Sequence, residues 1–233
     1  MCGRFTLRTP AKVIAEQFGL PAVDQGVTPL PPRYNIAPTQ KIFAVRRPAG
    51  GDQREAVMLH WGLIPSWAKD PSIGNRMINA RGETVDSKPS FRKAFRVRRC
   101  LIVTDGYYEW QKTGGAKQPY YFHHADDQPF AFAGLWETWS GGQDAGEKIE
   151  SGTIITTTAN DLSRDIHDRM PVILEPSHYN TWLDCDQEDL APVQRLLRPA
   201  ANDLLVADPV STLVNKPTND SPACIEPAQT LLD

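Results

Sequence analysis

The sequence predicts a single α+β domain, dominated by antiparallel hairpins that curl into a barrel-like sheet with a few peripheral helices. Three observations predict it. Twenty prolines and 16 glycines in 233 residues cut the chain into short pieces. Most apolar pieces have strand length and are bounded by turn residues. Only three stretches carry a helical apolar stripe. No repeat, low-complexity tract or domain boundary interrupts residues 1–233, so one domain is expected throughout.

The elements follow in order. Residues 11–18 read as a helix, with Thr9 as cap, Pro10 in the first turn, Ile14 and Phe18 on one face and Gly19 as the stop. The Pro-rich residues 20–33 read as loop. Residues 41–47 and 55–63 are strands joined by a turn over 48–52, hence a hairpin. Residues 100–104 have the pattern of a buried strand, and 107–112 with 118–123 form a second hairpin around Gly114-Gly115. Strands are expected at 130–139, 153–158 and 171–174, the first two separated by a Gly-rich loop over 140–151. Helices are expected at 176–183 and 188–197, the second with Leu190, Val193, Leu196 and Leu197 on one stripe and ended by Pro199.

Net charge is −3 and the isoelectric point about 6.0, which argues against a general nucleic-acid binder. The distribution differs from the total. Arg76, Arg81, Lys88, Arg92, Lys93, Arg96, Arg98 and Arg99 are opposed in that stretch only by Glu83 and Asp86. Such a basic run fits a short contact with a polyanion or, more ordinarily, a solvated surface. The four cysteines, Cys2, Cys100, Cys185 and Cys224, make no CxxC pair and no zinc spacing, so free thiols are expected and no metal or organic cofactor. His123-His124 reads as a strand end. No signal-like or membrane-length apolar run occurs, so a cytoplasmic protein without membrane contact is expected.

Cys2 is the residue with unusual chemistry. Cysteine is small, so Met1 is expected to be trimmed, leaving a terminal residue with both an α-amine and a thiol. An α-amine titrates near 7.7–8.0, roughly two units below lysine, so part of it is unprotonated at neutral pH. It can form an imine with an aldehyde. The thiol can then close on the imine carbon to give a thiazolidine, favoured because closure is intramolecular. The sugar of an abasic site equilibrates with an open-chain aldehyde and suits such a pair. On position alone, Cys2 is more ordinarily a small residue that happens to follow Met1.

Further blocks add weight. They are Met1-Cys2-Gly3-Arg4-Phe5, Arg33-Tyr34-Asn35-Ile36-Ala37-Pro38, Trp61-Gly62-Leu63-Ile64-Pro65-Ser66-Trp67, Ile78-Asn79-Ala80-Arg81-Gly82-Glu83-Thr84, Asp105-Gly106-Tyr107-Tyr108-Glu109-Trp110 and Ile166-His167-Asp168-Arg169-Met170-Pro171. In this order they resemble the SRAP family (SOS response-associated peptidase), from residue 2 to about 174, with a looser likeness at Asp208-Pro209-Val210-Ser211 and Val214-Asn215. The resemblance implies shielding of abasic sites by a covalent link through the cysteine, and self-removal of the N-terminal residue.

Carried over by motif, the catalytic positions are Cys2, Asn79, Glu109 and His167. Aromatic neighbours would desolvate Glu109 and raise its pKa for proton relay. His167 would protonate the sugar oxygen or assist reversal, and Asn79 would orient the amine or a sugar hydroxyl. Arg4, Arg81 and Arg169 are the expected phosphate ligands, because a planar fork matches phosphate oxygens. Pro38 and Trp67 are expected against the bases beside the lesion, where stacking is worth roughly 1–3 kcal/mol per base. The expected partner is single-stranded DNA, or a single-to-double-strand junction, holding an abasic site, bound by a monomer. Three rivals remain. An N-terminal nucleophile hydrolase of the glutamine amidotransferase type needs an oxyanion stabiliser, commonly Asn-Gly, and this chain has no such dipeptide. A cysteine peptidase would use Cys2 and His167 as a dyad. A non-catalytic DNA-binding module would keep its binding without the thiol.

Overall fold

The computed structural model describes residues 2–21, 30–48, 50–113, 116–141 and 148–228. In chain order its elements are β1 (Phe5–Leu7), α1 (Ala11–Phe18), β2 (Arg33–Ile36), β3 (Lys41–Arg46), β4 (Glu55–Trp61), β5 (Asn79–Arg81), α2 (Arg92–Val97), β6 (Arg99–Thr104), β7 (Gly106–Thr113), β8 (Ala116–His123), β9 (Phe130–Ser140), β10 (Lys148–Thr158), β11 (Arg169–Pro171), β12 (Ile173–Leu174), α3 (Tyr179–Leu183), α4 (Ala191–Gln194) and β13 (Val206–Pro209).

Strands β4, β3, β6, β9 and β10 pair in a closed ring, because β10 bonds β9 along one edge and β4 along the other. Closure removes the open edges that a sheet of this apolar content would otherwise expose. The expected α+β class and barrel-like sheet are therefore observed. Strand β6 is buried at every position, as a strand in a closed and covered ring must be. The second sheet, in the order β13-β8-β7-β1-β2, is laid against the barrel. Its inner face supplies Phe5, whose ring lies 5.0 Å from Trp61 and 5.9 Å from Phe132, and Tyr107, 5.9 Å from Phe132. Its outer face carries Tyr34, Tyr108, Trp110 and Tyr121, packed against Val210, Val214 and Cys224 of the C-terminal segment.

Both expected hairpins are present, as is the first helix, which ends on a left-handed Gly19 (φ 62°). The strand expected at 153–158 starts earlier, at Lys148, so the connection after Ser140 is shorter than the loop expected over 140–151. Residues 22–29 of the expected first loop, Ala49, Gly114-Gly115 and residues 142–147 lie outside the described residues.

Other expectations are corrected. Thr9 does not cap α1: Pro10 holds that position, and the Thr9 hydroxyl donates to the buried carboxylate of Asp105, which also accepts the Arg8 and Thr9 N–H groups. The helix over 188–197 shrinks to Ala191–Gln194. Asp189 accepts the Ala191 N–H, Gln194 and Arg195 bond carbonyls four back, and Leu196 and Leu197 then close onto residues three back, a tighter winding, although Leu190, Val193, Leu196 and Leu197 still pack on the core.

Helix α2 was not foreseen, and it breaks up the basic run. Arg99 is wholly buried, its guanidinium donating to the carbonyls of Phe95, Arg96, Trp182 and Asp184 at the ends of α2 and α3. A cation suits helix C-termini, where carbonyls lack partners. Arg98 pairs with buried Glu137 at 2.6 Å. The exposed basic residues of the stretch are thus Arg76, Arg81, Lys88, Arg92, Lys93 and Arg96.

Candidate active site

The register of the second sheet presents the start of the chain to β7. Phe5 pairs Tyr107 and Thr6 pairs Gly106, and the Arg4 carbonyl accepts the Tyr108 N–H at 3.0 Å. Continued by the same spacing, this pairing sets Gly3 across from Glu109. Alternation along β7 turns Glu109 to the same inner side as Tyr107. Cys2 is fully buried there, its thiol accepting the Arg4 backbone N–H. Burial, reinforced by the charge of Glu109, pushes the thiol well above the usual cysteine range. Glu109 is 4% exposed, and burial raises its carboxyl, with His167 pulling the other way.

Asn79 arrives from β5, which pairs in parallel with β10, Asn79 opposite Ile154. Its Nδ2 donates to the Cys2 carbonyl at 2.9 Å, while its Oδ1 is buried with no hydrogen-bond partner among the described residues. His167 stands in the turn that leads from β10 to β11. Its backbone N–H bonds Ser163 at 2.8 Å, and its Nδ1 lies 3.0 Å from both the Arg169 N–H and an Asp168 carboxylate oxygen. Accepting from Arg169 requires a bare Nδ1, which leaves the proton of the neutral ring on Nε2. The four expected catalytic residues therefore come from four separate parts of the chain to one neighbourhood around Cys2.

The expected DNA-contacting residues divide. Trp67 is 59% exposed, in a turn closed by the Ala68 N–H on the Pro65 carbonyl at 2.9 Å. That turn follows Gly62, which has φ +132°, and whose Cβ, if it had one, would sit 2.5 Å from the Gly74 carbonyl oxygen. Half-buried Pro38 lies in the neighbouring turn, where Thr39 donates to the Trp61 carbonyl at 2.9 Å, so both turns meet at the end of β4. Arg81 is exposed. Arg4 is not an open fork: Nη1 bonds Asn35 Oδ1 at 2.9 Å and the Val214 carbonyl at 2.8 Å. Arg169 is likewise engaged, by both oxygens of Glu83 at 2.6 and 2.9 Å and by the Thr156 carbonyl at 2.8 Å.

Two contributors escaped the sequence reading. Asn35 bonds the carbonyls of Val214, Lys216 and Asn219 and fastens the C-terminal segment beside Arg4. Glu83 holds Arg169. Both fall inside the quoted blocks, which was the available signal. Among the described residues no cluster of three or more His, Cys, Asp or Glu could hold a metal, and no helix is long and apolar enough to cross a membrane.

The family model for SOS response associated peptidase (SRAP) matches residues 1–217. The chain belongs to this family. Curated relatives carry the family's function in their names. "Abasic site processing protein YoqW" of Bacillus subtilis (strain 168) is 44% identical over 97% of this chain and 99% of its own. "Abasic site processing protein HMCES" of Gallus gallus is 34% identical over 79% of this chain and 61% of its own. A crystal structure of a protein from Bacteroides thetaiotaomicron superposes with a TM-score of 0.86 at 27% identity, covering 98% of this chain and all of the other. The SRAP resemblance of the six blocks is thereby established across the domain.

Proposed function

We propose that this chain processes abasic sites in single-stranded DNA, or at a single-to-double-strand junction, by covalent capture through Cys2. Once Met1 has been removed, the Cys2 α-amine adds to the aldehyde of the ring-opened sugar. Loss of water gives an imine. The thiol sulfur then bonds the imine carbon while the thiol proton passes to nitrogen, closing a thiazolidine. The balance is one water released and no oxidant or metal consumed.

The observation that carries the reading is the Asn79–Cys2 bond, made within the buried surroundings shared with Glu109. It ties the first residues of the chain to a carboxamide that still offers an acceptor. A thiol raised by burial is protonated at neutral pH, so the amine attacks first and the thiol needs a base to close the ring. Glu109, its carboxyl raised by burial, is the relay for that proton. His167, with its proton on Nε2, donates a hydrogen bond to the sugar oxygen and serves reversal. Exposed Trp67 and half-buried Pro38 take the bases beside the lesion, and Arg81 takes a phosphate. Arg4 and Arg169, already bonded inside the protein, contribute positive potential and such donors as those bonds leave. The chain acts as a monomer.

Denaturing gels of the chain with an abasic-site oligonucleotide, without reductant, test the reading. A slow-migrating adduct with the native chain and none with Cys2→Ala, which still binds DNA weakly, is the expected result. An adduct with Cys2→Ala overturns the mechanism. Absence of adduct with the native, trimmed chain returns the amidotransferase and peptidase readings, for which small amides and peptides are the next substrates.

A further inference from the structure

We infer that Glu83 is a positioning residue for His167, acting through Arg169; the inference deepens the covalent-capture reading and rests on it. Glu83 lies just after β5, in the single-turn helix Gly82–Thr84, so it shares a short segment with Asn79. Arg169 opens β11, two residues after His167. Between the two segments runs β10, with Thr156 paired to Arg81 on one side and to Pro171 on the other. The Glu83–Arg169 fork crosses over β10, and Arg169 Nη2 also bonds the carbonyl of Thr156 at 2.8 Å. The backbone N–H of this anchored arginine is the one that bonds His167 Nδ1 at 3.0 Å.

The clasp therefore joins the strand that bears Asn79 to the strand that fixes the His167 ring. A bidentate carboxylate–guanidinium pair is the directional way to make such a joint. Its strength is evident in Glu83, whose carboxyl is held below the usual range chiefly by the bond from Arg169. Loss of the fork frees the start of β11, loosens the Arg169 N–H and lets the imidazole turn. Asp168, 3.0 Å from Nδ1, then competes for the ring and favours the other tautomer, in sight of Glu109.

The test compares the native chain, Glu83→Gln, Glu83→Asp and Arg169→Lys for adduct formation and reversal across pH. Affinity for unmodified single-stranded DNA and melting temperature are measured alongside. Glu83→Gln is expected to slow both covalent steps about tenfold, as a displaced catalytic group does, and to change the shape of their pH profile. Affinity for unmodified DNA should stay within about twofold; Glu83→Asp, which keeps the carboxylate, should recover part of the rate. Arg169→Lys, which keeps charge but loses the fork, should show the same slowing and the same change of profile. Unchanged rates and pH profile in Glu83→Gln overturn the inference while the capture reading stands. Slowing explained wholly by lost DNA affinity also overturns it, because the pair would then serve binding alone. A native chain that forms no adduct fails the capture reading itself.

Discussion

The Asn79 carboxamide donates to the Cys2 carbonyl at 2.9 Å, binding β5 to the first described residue of the chain. Removing this donor by Asn79→Ala leaves a partly buried carbonyl unpaired, at a cost of about 1 kcal/mol. The larger effect should be on orientation: adduct formation should slow about tenfold or more with DNA affinity little changed. Gel-based capture rates beside a binding titration check this. Equal loss in both measurements would mean that Asn79 holds the DNA rather than Cys2.

Thiol reactivity should follow burial. Cys2, Cys100 and Cys224 are buried and Cys185 is half-exposed, with the Cys2 and Cys100 thiols pushed up by burial. Iodoacetamide at neutral pH should therefore label Cys185 first in the folded chain. Peptide mapping over time reads the order. Labelling of Cys2 ahead of Cys185 would show that its thiol is activated in the resting protein.

Glu109 should trade stability for chemistry. Its carboxyl is raised on folding, so the folded chain binds more protons than the unfolded chain between the two pKa values. Stability attributable to this group is present below the ordinary carboxylate range and is lost as pH rises through the raised value. Glu109→Gln should then melt higher than the native chain at pH 8, with the gap closing toward pH 4, while ring closure slows about a hundredfold. A melting difference that is constant with pH would contradict the buried-carboxyl account.

Asp105 should be structural. Its wholly buried carboxylate accepts two backbone N–H groups and the Thr9 hydroxyl where β1 turns into α1. Asp105→Ala strands those donors and should cost about 3 kcal/mol, which is on the order of 6–12 °C in melting temperature for a chain of this size. Calorimetry reads the loss directly.

Gly62 should be equally intolerant. A methyl group there meets the Gly74 carbonyl oxygen at 2.5 Å, on a backbone with φ +132°. Gly62→Ala should cost about 3 kcal/mol or more and displace the turn bearing Trp67, weakening DNA binding. Tryptophan fluorescence and melting curves would report both.

Long strands and tight hairpins were legible because alternation and turn residues act within a few positions. The β3–β4 and β7–β8 pairs needed no distant information. Strands β1, β2, β5 and β13 were not legible: each has three or four residues, and each exists because a remote strand pairs with it, as Asn79 opposite Ile154 shows. Arg99 misled for a related reason. Its charge reads as surface, while its four carbonyl partners come from two helix ends brought together only by folding. Within the site, Cys2 was suggested by its own chemistry, whereas Asn79 and His167 stood out only through their blocks. The engagement of Arg4 by Asn35, and of Arg169 by Glu83, depends on contacts 31 and 86 residues apart in sequence.

The most direct test is the intact mass of the native chain before and after incubation with an abasic-site oligonucleotide in the absence of reductant. A chain that lacks Met1 and gains the oligonucleotide mass less a water, with the added mass mapping to Cys2, is the expected result. A trimmed chain that gains nothing, or an adduct that maps elsewhere, would contradict it.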